Sequence, residues 1–391
     1  MTGNFLSGIK KLTATKRKIY IIGFSFAFLI TLKEATRLSY NTFQIFSHGS
    51  IDFWASNNPY SDWSHLSILG KPLDVFLYGP LFSILFTPFI LLPGWLGVFC
   101  WNIFTYTLFF ISVFTLPDQF SFGKKKFIFF FTALLLLSAL LSVQFNPVVA
   151  AIFLFSFTLL ERKKGFWAVL LILLSGFIKV YGIFQLAMLL FYPRFWKNVL
   201  YAVLLGIVLF LLPLIHIPAN ELVQYYHSWI VTVMNHSDAL RFYSIYRPIC
   251  LFCKSIEPFA GLISIGVLIV ILIFTILKLK LFKESFLHRA QFLGIIMSWA
   301  ILFGLGSERH TYVIAMVGYA IWYLCSATTK LDKVLLWINF VLLGILPIDI
   351  LCPSAVSNLI LAKLNIGIIV FAITWLIMVY KTYTSHIIPQ T

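Results

Sequence analysis

The chain is poor in charge. Asp, Glu, Lys and Arg make up 11% of its 391 residues, and only 13 residues are acids. A soluble domain carries roughly 25% charged residues, so a chain facing water over its whole surface is excluded. It also lacks a Gly/Ser-rich or Pro-rich linker, a low-complexity tract and an internal repeat. Nothing divides it, and residues 1–391 read as one domain. There are five cysteines: Cys100, Cys250, Cys253, Cys325 and Cys352. Cys250 and Cys253 form a C-x-x-C with no second pair or His partner at zinc spacing, so no metal and no cofactor is assigned. That pair reads either as incidental apolar thiols or as a local redox couple or disulfide.

What the chain has instead is apolar length. It is 61% hydrophobic and 18% aromatic, with long apolar runs between short polar breaks, the pattern of a polytopic membrane protein. A crossing helix needs roughly 20 apolar residues, about 17 at the short end. About twelve spans (11–13) are expected, near 18–36, 94–116, 126–143, 147–160, 165–180, 181–193, 198–216, 259–279, 290–306, 310–327, 333–350 and 358–380. The fold class expected is an all-α integral membrane bundle.

With both termini in the cytoplasm, 20 of 29 Lys and Arg and 4 of 13 acids fall inside. That side then carries the whole formal charge of +16, and the outer side balances nine bases against nine acids. The turns Gly123–Lys126, Glu161–Lys164, Arg194–Lys197, Lys278–Arg289 and Lys330–Lys333 are all basic, as the positive-inside rule expects. The basic balance fits anchoring to anionic lipid and makes no case for nucleic acid. Lys10, Lys11, Lys16, Arg17 and Lys18 precede the first span. With no small-residue cleavage site behind it, that segment reads as an uncleaved signal anchor.

Residues 78–93 are apolar but hold Pro80, Pro88 and Pro93. A span there would turn Lys124, Lys125 and Lys126 outward, so an outer juxtamembrane or re-entrant helix is expected. Two outer segments are long, 33–93 and 217–259. Long ordered loops in a compact bundle are usually functional.

The outer face therefore holds the candidate chemistry. The first loop carries Asp52, Asp62 and Asp74 among Tyr60, Trp63 and Tyr78. Such aromatics serve as interface anchors or as stacking platforms for sugar rings, and a carboxylate beside apolar surface often has a shifted pKa. Pro59, Pro72 and Pro80 break the loop into short helices, giving a folded lid. Gln144 and Asn146 form a tight outer turn. Lys179 and Tyr181 lie between two very apolar helices, where a lysine needs an anionic partner or water. It either snorkels to the interface or contacts a lipid phosphate. The second loop carries His227, His236, Ser237, Asp238, Arg241 and Arg247. Glu308, Arg309 and His310 open a later span, where they could hold a phosphate or cap a helix.

These segments, in order, resemble glycosyltransferase family 87. The resemblance rests on Asn41 to Phe46, Asn58-Pro59-Tyr60, Tyr78-Gly79-Pro80-Leu81-Phe82, Thr87-Pro88-Phe89 and Leu92-Pro93. It continues through Gln144-Phe145-Asn146, Leu159 to Lys164, Phe177 to Gly182, Phe191 to Lys197 and Ser307 to Tyr312. It covers roughly residues 18–350; no single motif is specific, but the ordered set is. It implies the C-type glycosyltransferase fold in the plasma (inner) membrane. It also implies an inverting hexosyltransferase that moves a mannose-like sugar from a polyprenyl-phosphate donor, without a nucleotide sugar. The acceptor would be a lipid-linked or cell-surface glycan on the extracytoplasmic face.

Many members carry a basic Asp just before the first-loop aromatic segment, where this chain has Thr42. The base then falls to Asp52, with Asp74 second and Asp62 third. Lys179, Arg247, Arg309 and His310 are the expected donor-phosphate ligands. Tyr60, Trp63, Tyr78, Gln144, Asn146, Tyr181 and Glu308 are the expected substrate contacts. Three rivals stay open: a lipid-linked-oligosaccharide flippase or other transporter, an outer-face glycan polymerase or ligase, and a non-catalytic scaffold.

Overall fold

The computed structural model describes residues 14–36, 40–61, 63, 66–68, 71–236, 243–348 and 351–384. Among the described residues the regular structure is helical but for one two-residue antiparallel pair, β1 (Ser67–Ile68) and β2 (Lys71–Pro72), with Ser67 opposite Pro72. The helices, in order, are α1 (Lys16–Thr36), α2 (Asn41–Trp54), α3 (Pro80–Ile90), α4 (Gly94–Phe114), α5 (Phe122–Leu141), α6 (Asn146–Glu161) and α7 (Gly165–Ile178). A 3-10 helix, Val180–Phe191, precedes α8 (Phe195–Leu211), α9 (Leu222–Asn235), α10 (Tyr246–Phe252), α11 (Ala260–Leu277), α12 (Leu279–Glu284) and α13 (Phe286–Leu302). Then come α14 (Tyr312–Leu324), α15 (Lys330–Asn339), α16 (Ser354–Ser357) and α17 (Ile366–Thr384).

Sequence accounts for where these helices begin. The Ser121 side chain accepts from the Lys124 N–H at the start of α5, and Ser285 accepts from the His288 N–H at the start of α13. Pro147 occupies the first turn of α6, where a missing N–H costs nothing. Thr329 and Asp332 form a reciprocal capping box on α15.

Among the described residues, five helical stretches are long and apolar enough to cross a membrane: Lys16–Thr36, Gly94–Phe114, Phe195–Ile215, Lys254–Leu277 and Ile366–Thr384. The segment expected to lie outside the bilayer contains α3, which has 11 residues. At 1.5 Å per residue it reaches roughly 16 Å, about half the hydrocarbon thickness. Two expected spans take other forms. Residues 181–193 fold mainly into the 3-10 helix, with the Gln185 amide donating sideways to the Phe153 carbonyl at 2.8 Å. The last expected span begins late, because Asn365 adopts a left-handed backbone (φ 53°) that separates the π-helical turn Asn358–Lys363 from α17.

Aromatic packing fixes the first-loop helices on the bundle. Phe46 of α2 meets Tyr78, Phe82 and Phe86 edge-on at 4.9 to 5.3 Å. Phe86 and Phe89 of α3 meet Trp101 of α4 at 5.0 Å. Such ring pairs add about 0.5–1.5 kcal/mol each beyond area burial. The two long loops also hold each other: the Tyr225 hydroxyl donates to the Asn57 carbonyl at 2.7 Å, and the Trp229 indole to the Leu77 carbonyl at 3.1 Å.

The basic turns gather at one end of the bundle. Arg162 donates to the Thr115 carbonyl, Arg289 to Glu161, and Lys278 to the Tyr383 carbonyl, while Lys381 pairs with Asp332. Because α6 runs from Asn146 to Glu161 and α7 returns from Gly165 to Ile178, the turn at 144–146 and Lys179 lie at the opposite end.

Candidate active site

Six segments converge at that opposite end on a cavity of about 350 Å³. They are the start of α2, residues 74–78, the turn before α6, the break between α7 and the 3-10 helix, the last turns of α9, and residues 305–308. The approach is close. The Gly79 N–H donates to the Ile178 carbonyl at 3.0 Å. A Cβ at Gly79 would stand 2.0 Å from the Phe177 carbonyl oxygen and 3.1 Å from the Trp229 ring, so only glycine lets this strand-like segment lie on the end of α7. Lys179 then leaves the helix in an extended conformation (φ −146°, ψ 112°).

A chain of polar groups runs along one wall. Lys179 Nζ donates to Asn146 Oδ1 at 2.9 Å, Asn146 Nδ2 to Gln144 Oε1 at 3.2 Å, and Gln144 Nε2 to Glu308 Oε2 at 3.5 Å. The Lys179 ammonium also sits 5.3 Å from the ring centres of both Tyr78 and Tyr181, a cation held against two aromatic faces. The Tyr181 hydroxyl donates to the Gly306 carbonyl at 3.3 Å. Burial, and then Glu308 and Tyr181, hold the Tyr78 phenol well above its ordinary range, so it remains a neutral donor. Asp74 supplies a second carboxylate to the lining, with its own Oδ1 accepting the Val75 N–H at 2.9 Å.

Of the residues singled out in the sequence, the cavity brings together Asp74, Tyr78, Gln144, Lys179, Tyr181 and Glu308, with Asn146 holding Lys179 from behind. Asp52 is elsewhere. It is half-buried on α2 and its Oδ2 accepts the Trp63 indole N–H at 3.1 Å. Tyr60 and Trp63 pack on Phe76, with ring centres 5.8 and 6.2 Å away, and the Tyr60 hydroxyl donates to the Tyr78 carbonyl. Burial, then Tyr226 and Tyr225, raise the Tyr60 phenol well above its usual value. These two rings build the lid rather than line the cavity.

Arg247 and Arg309 each lie 5.0 Å from the Tyr243 ring, and Arg309 also donates to the Tyr243 hydroxyl and to Asn358. His310 sits between Ser138 and Ser142, its two ring nitrogens 3.2 and 3.0 Å from their hydroxyls. None of these three lines the cavity. Asp62, Ser237, Asp238 and Arg241 lie outside the described residues. Neither Cys250 nor Cys253 is in a disulfide, the first being buried and the second exposed.

The cavity also uses Asn41, Thr42, Trp229 and His236. In the sequence Thr42 stands out only as the residue at the position where relatives carry Asp. Trp229 gave no signal, because its role depends on α9 folding back over the first loop. A second cavity, about 310 Å³ and almost wholly apolar, adjoins the first, between α3, α4, α6 and α7. Tyr78 stacks on Phe82 at 4.6 Å and meets Phe145 edge-on at 5.9 Å. Phe82 and Phe145 line the apolar cavity while Tyr78 lines the polar one, so these rings form the wall between them.

The model of glycosyltransferase family 87 matches residues 76–301. That stretch includes Tyr78, Gln144, Asn146, Lys179, Tyr181 and Trp229, and excludes both lining carboxylates, Asp74 and Glu308. No curated protein matches the chain.

Proposed function

From the premise that the chain belongs to glycosyltransferase family 87, we propose that it transfers a hexose such as mannose from a polyprenyl-phosphate donor. The acceptor is a lipid-linked or cell-surface glycan, and the reaction runs at the extracytoplasmic face of the plasma membrane. The observation that carries this reading is the pairing of cavities. A polar chamber holding Lys179, Asp74 and Glu308 shares an aromatic wall with an apolar chamber suited to a prenyl tail. The single-domain architecture belongs to the same proposal. It has about twelve membrane-crossing segments in the C-type arrangement, both termini cytoplasmic, and 33–93 and 217–259 folded over the outer face.

The sugar phosphate sits with its phosphate at Lys179 and its ring against Tyr78 and Tyr181. Asp74 accepts the proton of the acceptor hydroxyl. The hydroxyl oxygen attacks the anomeric carbon from the face opposite the phosphate, and the bond from that carbon to the phosphate oxygen breaks. The electron pair leaves on the phosphate, and the anomeric configuration inverts. A positioned base contributes about 10²–10⁴-fold, and a cation placed in advance at the leaving oxygen about 10²–10³-fold. Glu308 accepts a sugar hydroxyl. Gln144 and Asn146 hold Lys179 in place. Thr42 lines the chamber without acting as base.

The test is a radiolabelled-transfer assay on purified protein with polyprenyl-phosphate-mannose, polyprenyl-diphosphate-oligosaccharide and nucleotide-sugar donors. Transfer from the monophosphate donor alone supports the reading. Transfer from the diphosphate donor alone makes the protein a polymerase or ligase. Movement of intact lipid-linked sugar across vesicles without a new glycosidic bond makes it a transporter.

A further inference from the structure

The stretches 159–164 and 191–197 take no part in the proposed transfer, yet they meet. Together with the first turns of α7 and α8 they enclose a cavity of about 510 Å³. It lies at the far end of α7 from Lys179, roughly 21 Å away along a 14-residue helix. Lys163, Lys164, Arg194 and Lys197 line it, and no carboxylate does. Among the described residues none of these four is in an ion pair. Glu161, nearby in the chain, is already held by Arg289 and by the Tyr192 hydroxyl.

Both α7 and α8 begin at this cavity, so their first backbone N–H groups and positive dipole ends face it. Asn198 adds an independent sign of a ligand. It is only 6% exposed and lines the cavity, yet its side chain has no hydrogen-bond partner among the described residues. Its amide opens into the cavity and is met there by a ligand or by water. Gly165 makes room for it, because a Cβ there would stand 2.1 Å from Asn198 Oδ1. Trp167 and Trp196 near the mouth are 56% and 79% exposed, as aromatic residues at a bilayer interface are.

We propose that this cavity binds a phosphate group, that of an anionic lipid headgroup in the leaflet at this end of the bundle. The ligands are Lys163, Lys164, Arg194, Lys197, the Asn198 amide and the two helix N-termini. Basic pockets between membrane helices recognise such headgroups, and the helix starts add the geometry of an anion site. The site is separate from the transfer chamber and makes the protein's stability depend on the lipid around it.

Thermal unfolding of the full chain in neutral detergent tests this, with phosphatidylglycerol, phosphatidylcholine or inorganic phosphate titrated in. Phosphatidylglycerol raises the unfolding temperature and phosphatidylcholine does not. Lys164→Gln with Lys197→Gln weakens the apparent affinity for phosphatidylglycerol by about thirtyfold. Asn198→Leu keeps every charge and weakens it by about fivefold. Lys330→Gln with Lys333→Gln, outside the cavity, leaves the response intact. Equal protection by inorganic phosphate also supports a phosphate site and assigns its source to free anion. Equal protection by phosphatidylcholine, a native response in the two cavity variants, or an equal loss in the Lys330/Lys333 variant overturns the proposal.

Discussion

The two ends of the bundle treat their carboxylates in opposite ways. At the basic end the acids Glu161 and Asp332 are each closed by a base, while the cations around the basic cavity are in no ion pair among the described residues. Glu161 takes two bonds from Arg289, at 2.7 and 2.9 Å, and a third from the Tyr192 hydroxyl at 2.6 Å. Asp332 is closed by Lys381 and the Thr329 cap. At the other end, Glu308 and Lys179 are kept apart by two amide side chains, Gln144 and Asn146. A closed pair neutralises itself and fastens helices. In the proposed transfer, a lysine separated from its carboxylate by two amides is left for the arriving phosphate. A carboxylate thus belongs to a fastening at one end and lines an open chamber at the other.

Substitutions sharpen that contrast. The largest effect is expected at Lys179: Lys179→Gln lowers kcat by about 10²–10³-fold while the unfolding temperature changes little, read by transfer kinetics beside thermal unfolding. Gln144→Leu breaks the relay, lets Lys179 and Glu308 approach, and lowers kcat/KM by about tenfold. At the basic end the outcome reverses. Arg289→Met leaves Glu161 unpaired, costs about 3 kcal/mol of stability and leaves turnover per folded molecule unchanged. A large loss of turnover there at full stability would break the comparison.

The smallest effect is at Asp332. Its burial raises the carboxyl pKa, but the bonds from Lys381 and Thr329 outweigh burial and leave it below the ordinary carboxylate value. A depressed folded pKa means stability that is present above the unfolded value of about 3.9 and lost as pH falls through the folded value. Asp332→Asn therefore flattens the acid limb of a stability-against-pH curve.

The helices were largely legible because apolar runs without interior proline leave few alternatives, and basic turns marked one end. The 3-10 helix at 180–191 was hidden, since nothing in its apolar composition distinguishes it from an α-helix. In the site, Gln144, Asn146, Lys179, Tyr181 and Glu308 were legible as polar groups at helix ends. The ordering of Asp52 above Asp74 was not resolvable along the chain. It depends on the Trp63 indole reaching Asp52 and on Gly79 laying residues 74–78 against α7. Arg247 and Arg309 lie outside the cavity against Tyr243, a shared partner that carries no signal of its own in the sequence. The contacts of His310 were hidden because its two serines lie at the end of α5, far away in sequence.

Side-by-side transfer kinetics of Asp74→Asn and Asp52→Asn test the central claim most directly. The account predicts a loss of about 10²–10⁴-fold for Asp74→Asn, with Asp52→Asn staying near the native rate and both proteins folded. An active Asp74→Asn beside a dead Asp52→Asn would contradict it.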